Sequence, residues 1–93
     1  MIVRDGDRLR VTVAMVMANA KALRMALAGL LEQPGMIVDL MVVESADSSA
    51  LAVILEWLRQ AKAQQCELQF ANLPASVRAL ADLYGIDTLL PQV

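Results

Sequence analysis

Apolar and polar residues alternate along the first stretch of the chain and then switch to a helical period. Ile2 to Arg4 and Arg8 to Val13 are β-prone runs separated by Asp5-Gly6-Asp7, and Asp-Gly between such runs signals a hairpin. In the second run Leu9, Val11 and Val13 alternate with Arg8, Arg10 and Thr12, the period of two expected of a half-buried strand. Ala14 to Ala18 is apolar without a clear period and reads as a connection. Asn19 is placed to cap a helix running to about Gln33, with Leu23, Leu27, Leu30 and Leu31 on one face and Pro34-Gly35 at its end. Met36 to Val43 is mostly apolar, broken by Asp39, and has the character of a buried central strand.

Glu44-Ser45-Ala46-Asp47 turns the chain into its clearest element, a helix over roughly Ser48 to Ala63. Leu51, Ile54, Leu55 and Leu58 recur at helical spacing and define the expected core face, with Glu56, Arg59 and Gln60 on the other side. Cys66 to Ala71 is a short strand in which Leu68 and Phe70 alternate against Glu67 and Gln69. Pro74 opens a third helix; Val77, Leu80, Ala81 and Tyr84 share a face, and Gly85 suits the position just past its end. The order β-β-α-β-α-β-α predicts the α/β class. The expectation is one domain over residues 1–93, a mixed sheet of about four strands with helices packed on it and right-handed crossovers.

Composition narrows the function classes. Hydrophobic residues make up 58% of the 93 and charged ones 19%, so the chain can bury a core. The formal net charge of -2 argues against a nucleic-acid module, which would carry a basic patch or stripe. His is absent and Cys66 is the single cysteine, which removes the commonest general base, most zinc chemistry and any disulfide framework. The longest charge-free stretches, Val11 to Ala20 and Leu68 to Val77, are ten residues each. A spanning helix needs about 18 or more. Asp5 and Asp7 interrupt the N-terminus before any long apolar run, unlike a secretory signal. The expected location is cytoplasmic, with docking onto a membrane-embedded partner left open.

No phosphate-loop, dinucleotide-binding or nucleophile-elbow motif is present, and the acids are not spaced as metal ligands. An enzyme is therefore the least supported class, and no cofactor or metal is expected. Cys66, at the start of a strand, reads as a small buried hydrophobe. The segment that stands out is Asp47-Ser48-Ser49-Ala50-Leu51, at the junction of a strand and the best helix. Asp47 looks like an N-cap, and Ser48 and Ser49 take the first helical positions, where free N–H groups and the helix dipole favour an anion. Either these residues only cap the helix, or a phosphate on Ser48 alters a partner surface. Ser49, Val53 and Trp57, spaced by four, form a stripe beside the expected core face. That stripe either anchors a partner or lets Trp57 cover a sheet edge.

The element order, with Asp39-Leu40 in the central strand and Asp47-Ser48-Ser49-Ala50-Leu51-Ala52-Val53-Ile54-Leu55 at the next helix, resembles a STAS domain from about Arg8 to Pro91. The resemblance implies that Ser48 falls on the family's regulatory hydroxyl position, within a D-[ST]-[SG]-G-L motif. Ala50 stands where the family usually has glycine, and Ala14-Met15-Val16-Met17 does not preserve the G-x-[LIV]-[DT] signature that antagonists use in partner contact. Leu80-Ala81-Asp82-Leu83-Tyr84-Gly85-Ile86-Asp87 followed by Leu89-Leu90-Pro91 is similar to the ending of the small, MlaB-like subunit of Mla-type phospholipid transporters. The resemblance implies a non-catalytic cytosolic subunit that binds and activates or stabilises an ABC ATPase, itself joined to a membrane permease. The contact would involve Asp47, Ser48, Ser49, Val53 and Trp57. The alternative is an anti-sigma-factor antagonist, whose partners would be an anti-sigma factor and a serine kinase acting on Ser48. A small-ligand binder has little support.

Overall fold

Gly6 takes a positive φ of 64°. With Asp7 it makes a two-residue turn that folds β1 (Ile2–Asp5) back against β2 (Arg8–Val11). The computed structural model describes residues 1–93. After the hairpin come α1 (Met17–Ala26), a 3₁₀ turn (Ala28–Leu30), β3 (Gly35–Asp39), α2 (Ser48–Ala63), β4 (Glu67–Ala71), α3 (Ala75–Leu83) and a second 3₁₀ turn (Asp87–Leu89). The sheet order is β1-β2-β3-β4, antiparallel in the hairpin and parallel from β2 to β4, as two helical crossovers require. The expected α/β order, β-β-α-β-α-β-α, is the observed one.

One face of the sheet carries Leu9, Val11, Met36, Val38, Leu68 and Phe70, all buried against the helices. The intervening Arg10, Glu67 and Gln69 face solvent, so the sheet is covered on one side only. Parallel strands with a solvated face are less common than doubly covered ones, and here the period-2 polarity of β2 and β4 accommodates it. The outer edge of β4 is closed by the C-terminal residues: Phe70 N–H donates to Pro91 O (2.8 Å) and Val93 N–H to Phe70 O (2.9 Å).

Several boundaries differ from those expected. Helix α1 begins at Met17 rather than Asn19 and leaves α-helical geometry before Gly29, short of Pro34-Gly35. Asn19 does not cap it; its Nδ2 donates to Ala14 O (2.8 Å), tying the helix to the loop before it. Strand β3 stops at Asp39 instead of Val43. The Asp39 carboxylate accepts Met41 N–H (2.9 Å), which turns the chain away from the sheet and leaves Met41 and Val42 exposed. Tyr84 was expected on the α3 core face but is exposed, since α3 ends at Leu83 and Gly85 (φ 70°) reverses the chain.

The largest correction concerns α2. Leu55 is 39% exposed, while Trp57 and Ile54 are 0% exposed. The buried arc runs from Ser49 and Val53 through Ala50, Trp57, Ala61 and Ile54 to Leu51. Its centre lies roughly a quarter-turn from the face that the leucine spacing suggested, at 100° per residue. The cause is position: α2 is the middle helix, packed against α1 on one side and α3 on the other, so a wide arc is covered.

Candidate functional site

The carboxyl ends of β2, β3 and β4 and the starts of all three helices lie at the same end of the molecule, where open α/β sheets present their sites. Two loops meet there. Met15 N–H donates to Ser45 O (2.9 Å) and Asp47 N–H to Met15 O (3.1 Å), a single bridge that joins the entry to α1 with the entry to α2. The Asp47 side chain completes the joint. Its Oδ1 accepts Ser49 N–H (2.9 Å) and its Oδ2 accepts Met17 N–H (3.0 Å), so one carboxylate caps two helices. The N-cap role of Asp47 was legible in the sequence; the second helix it serves was not.

The hydroxyl of Ser49 also donates to Asp47 Oδ1. That bond, then the Met17 and Ser49 N–H groups, hold the Asp47 carboxyl below the usual carboxylate range against a small opposing effect of burial. The two serines are therefore not equivalent. Ser49 is 8% exposed and turned inward onto Asp47, whereas Ser48 is exposed and has no side-chain partner. With helical geometry Ala52, Leu55 and Arg59 share the outward arc of α2 with Ser48, and all three are exposed.

Val53 and Trp57, expected on an exposed stripe, are inside the fold. Val53 is buried, and Trp57 donates its indole N–H to Leu23 O (2.9 Å) beneath α1. With its ring buried and its N–H spent on α1, Trp57 seals the α1–α2 seam from within. The apolar group that does stand beside Ser48 is Leu55, which the leucine periodicity had assigned to the core.

Other chemistry at this end is structural. Burial, the largest single influence on Asp39, pushes its carboxyl up. Hydrogen bonds from Asn72 (3.0 Å), Met41 N–H and Arg8 (2.8 Å) together outweigh it and hold the group below the usual range. Asn72 reaches Asp39 from a positive φ of 58°, which asparagine tolerates. Cys66, at the far end of the sheet, is buried, and burial pushes its thiol up, away from the thiolate form that reacts. No group of three or more acidic, cysteine or histidine side chains is placed to hold a metal ion, and no helix is long and apolar enough to cross a membrane.

The four-stranded mixed sheet with three helices, in this order, is the fold of a STAS domain. Residues 2–91 match the family model described as "Mlab, STAS domain", and the chain belongs to that family. Among solved structures it is similar to a candidate anti-sigma factor antagonist from Thermotoga maritima. That similarity has a TM-score of 0.76 at 16% identity, over 99% of this chain and 83% of that one. It also resembles the anti-sigma factor antagonist SpoIIAA in its unphosphorylated form, with a TM-score of 0.70 at 14% identity, over 100% and 86%. A sulfate transporter family protein from Wolinella succinogenes gives 0.68 at 12%, over 90% and 70%. At these identities the likeness is one of fold. No curated protein matches the chain.

Proposed function

We propose that this chain is a non-catalytic regulatory subunit that binds the ATPase of an Mla-type phospholipid ABC transporter and stabilises or activates it. The permease would be reached only through that ATPase, at the cytoplasmic side of the inner membrane. The observation that carries this reading is the exposed, unpartnered Ser48 at the start of α2, beside a carboxylate that pins two helix starts together. A surface fixed in this way loses little freedom when a partner meets it. Activation follows if the partner's competent state fits the surface better than its resting state. Ser48 supplies the polar centre of the contact and Leu55 its apolar flank. Asp47 and Ser49 act behind them by setting the position of Ser48. The Mlab description of the matching family supports the transport branch.

The test is affinity capture of the tagged chain from detergent-solubilised native cells, with mass spectrometry of what accompanies it. The expected companions are an ABC ATPase and its permease, both lost with Ser48→Glu while the circular dichroism of that variant stays unchanged. A negative charge at a helix start is compatible with the fold. Recovery of a sigma regulator or serine kinase, with phosphate on Ser48, overturns this reading in favour of a second one, an anti-sigma-factor antagonist. What favours that second reading is the likeness to SpoIIAA together with a free hydroxyl at a helix N-terminus, where a phosphate is accommodated. Neighbouring genes separate the two: a permease, an ATPase and a substrate-binding protein, or a serine kinase.

A further inference from the structure

The seam between α1 and α2 is closed at depth by Trp57 but open above it. Two adjoining hollows follow it along both helices. The first, about 350 Å³, is lined by Met17, Ala20 and Arg24 from α1 and by Ser48, Ala52 and Val53 from α2. The second, about 390 Å³, is bounded by Lys21, Arg24, Met25 and Ala28 on one side and by Glu56 and Gln60 on the other. Arg24 lies on both. Small side chains make the hollow: alanines at positions 20, 28 and 52 leave the walls apart where larger residues would fill the space.

Two features of this furrow set it apart from the rest of the surface. First, its α1 wall is strongly apolar for an exposed face: Met17 is 71% and Met25 72% exposed. Second, it is basic in an acidic chain. It carries two cations, Lys21 and Arg24, and α1 holds no acid, although the whole chain has a net charge of -2. The chain's three ion pairs engage Arg4, Arg8 and Arg59, and neither Lys21 nor Arg24 takes part in one. The one carboxylate along the furrow, Glu56, is paired with Arg59, whose hydrogen bond is the largest influence holding it down to about 2, with smaller help from the Gln60 amide and the nearby charge of Arg24. Inside the furrow the Gln60 amide donates to Arg24 O (2.9 Å), while its Oε1 is out of reach of water and has no partner.

We propose that the α1–α2 furrow seats an acidic amphipathic helix of a partner protein. Carboxylates of that helix meet Lys21 and Arg24, and its apolar side rests on Met17, Met25 and the alanine floor. From Met17 to Met25 the furrow follows α1 for roughly 12 Å at the helical rise, a little over two turns of an incoming helix. Methionines suit such a seat because their flexible thioethers adapt to the side chains laid against them. An anionic membrane is the poorer occupant. The face is concave, and two cations are fewer than the four to eight that mark lipid-binding clusters. The proposal rests on the reading of this chain as an interaction subunit and extends it. The furrow begins beside Ser48, so a helix seated in it adjoins the proposed contact, and the charged portion of the recognition lies along α1 instead of at Ser48.

The experiment replaces Met25, and in a separate variant Ser45, with p-benzoylphenylalanine in the full chain expressed in its native cells. Irradiation is followed by mass spectrometry of the adducts. The expected result is a Met25 adduct on a helical partner segment rich in Glu or Asp. With Lys21→Glu and Arg24→Glu together, that adduct should fall about tenfold, and replacing the segment's acids by lysine should restore it. Without the charge reversals, the Met25 adduct yield should also decline steeply with added salt in lysates. No Met25 adduct overturns the proposal, as do adducts only on lipid, only on another copy of this chain, or on a segment without carboxylates. Ser45, next to the Asp47 joint, reports on the Ser48 contact independently. Adducts from Ser45 without any from Met25 refute the furrow and leave the subunit reading standing. Adducts from Met25 alone leave the furrow and refute the Ser48 contact.

Discussion

Replacing Trp57 with alanine should cost the fold far more than replacing Leu55, although leucine periodicity ranks Leu55 as core. Trp57 is 0% exposed, belongs to the main core cluster and donates its indole N–H to Leu23 O of α1 at 2.9 Å. Truncating a buried tryptophan removes its transfer free energy and leaves a cavity, together about 3–5 kcal/mol. The lost indole hydrogen bond to Leu23 O, a carbonyl that also lies within the α1 ladder, adds about 0.5–1.5 kcal/mol. Small domains have about 5–15 kcal/mol in total, so Trp57→Ala should be largely unfolded or close to it. Leu55 is already 39% exposed, and its truncation should cost about 1 kcal/mol or less, since full burial of a leucine is worth about 1.5–3 kcal/mol. Urea unfolding followed by circular dichroism measures both, with unchanged m-values as the check that the midpoints report stability. Trp57→Phe serves as a foldable intermediate. A Leu55→Ala loss equal to or above that of Trp57→Phe would refute the placement of the buried arc. If Leu55→Ala instead stays folded and loses the partner captured by the wild type, Leu55 is the apolar flank of the Ser48 contact.

Asp47→Ala should accelerate amide hydrogen exchange at Met17 and at Ser49 together, because one carboxylate caps both helices; acceleration at Ser49 alone would show that α1 does not depend on it. Asp39, Asp47 and Glu56 all have lowered carboxyl pKa values in the folded chain, so their contributions are fully present above the ordinary value near 4 and are lost as pH falls through the lowered ones. Thermal unfolding should therefore show stability declining below about pH 5, and Asp39→Asn should flatten part of that decline. Gly85→Ala places a β-carbon on a residue at φ 70°, and a loss of about 1 kcal/mol in urea unfolding is expected; no loss would mean that the turn after α3 relaxes.

The strands and their polarity were readable because the period of two in Arg8 to Val11 and Glu67 to Phe70 is a local property, set by which face of each strand meets the core. The hairpin at Gly6 and the helix end at Gly85 were equally local, since a positive φ selects glycine whatever surrounds it. The start of α2 at Asp47 belongs to the same group: its cap is made within two residues. These signals, with the element order, determined the α/β class and brought out the segment around Ser48.

Tertiary structure decided the rest, in each case through a neighbour distant in sequence. Helix α1 starts at Met17 because a carboxylate thirty residues away accepts its first N–H, which no reading of Val16 to Asn19 could supply. Strand β3 ends at Asp39, where that carboxylate is held by Arg8 and Asn72 and turns the next residue out of the sheet. The buried arc of α2 follows from having helices on both flanks, which brought Val53 and Trp57 inside and left Leu55 outside. Periodicity locates an apolar stripe on one helix; the number and placement of neighbours determine how wide an arc is covered and where its centre lies. Sequence therefore pointed to Ser48, and packing determined which side chains stand beside it.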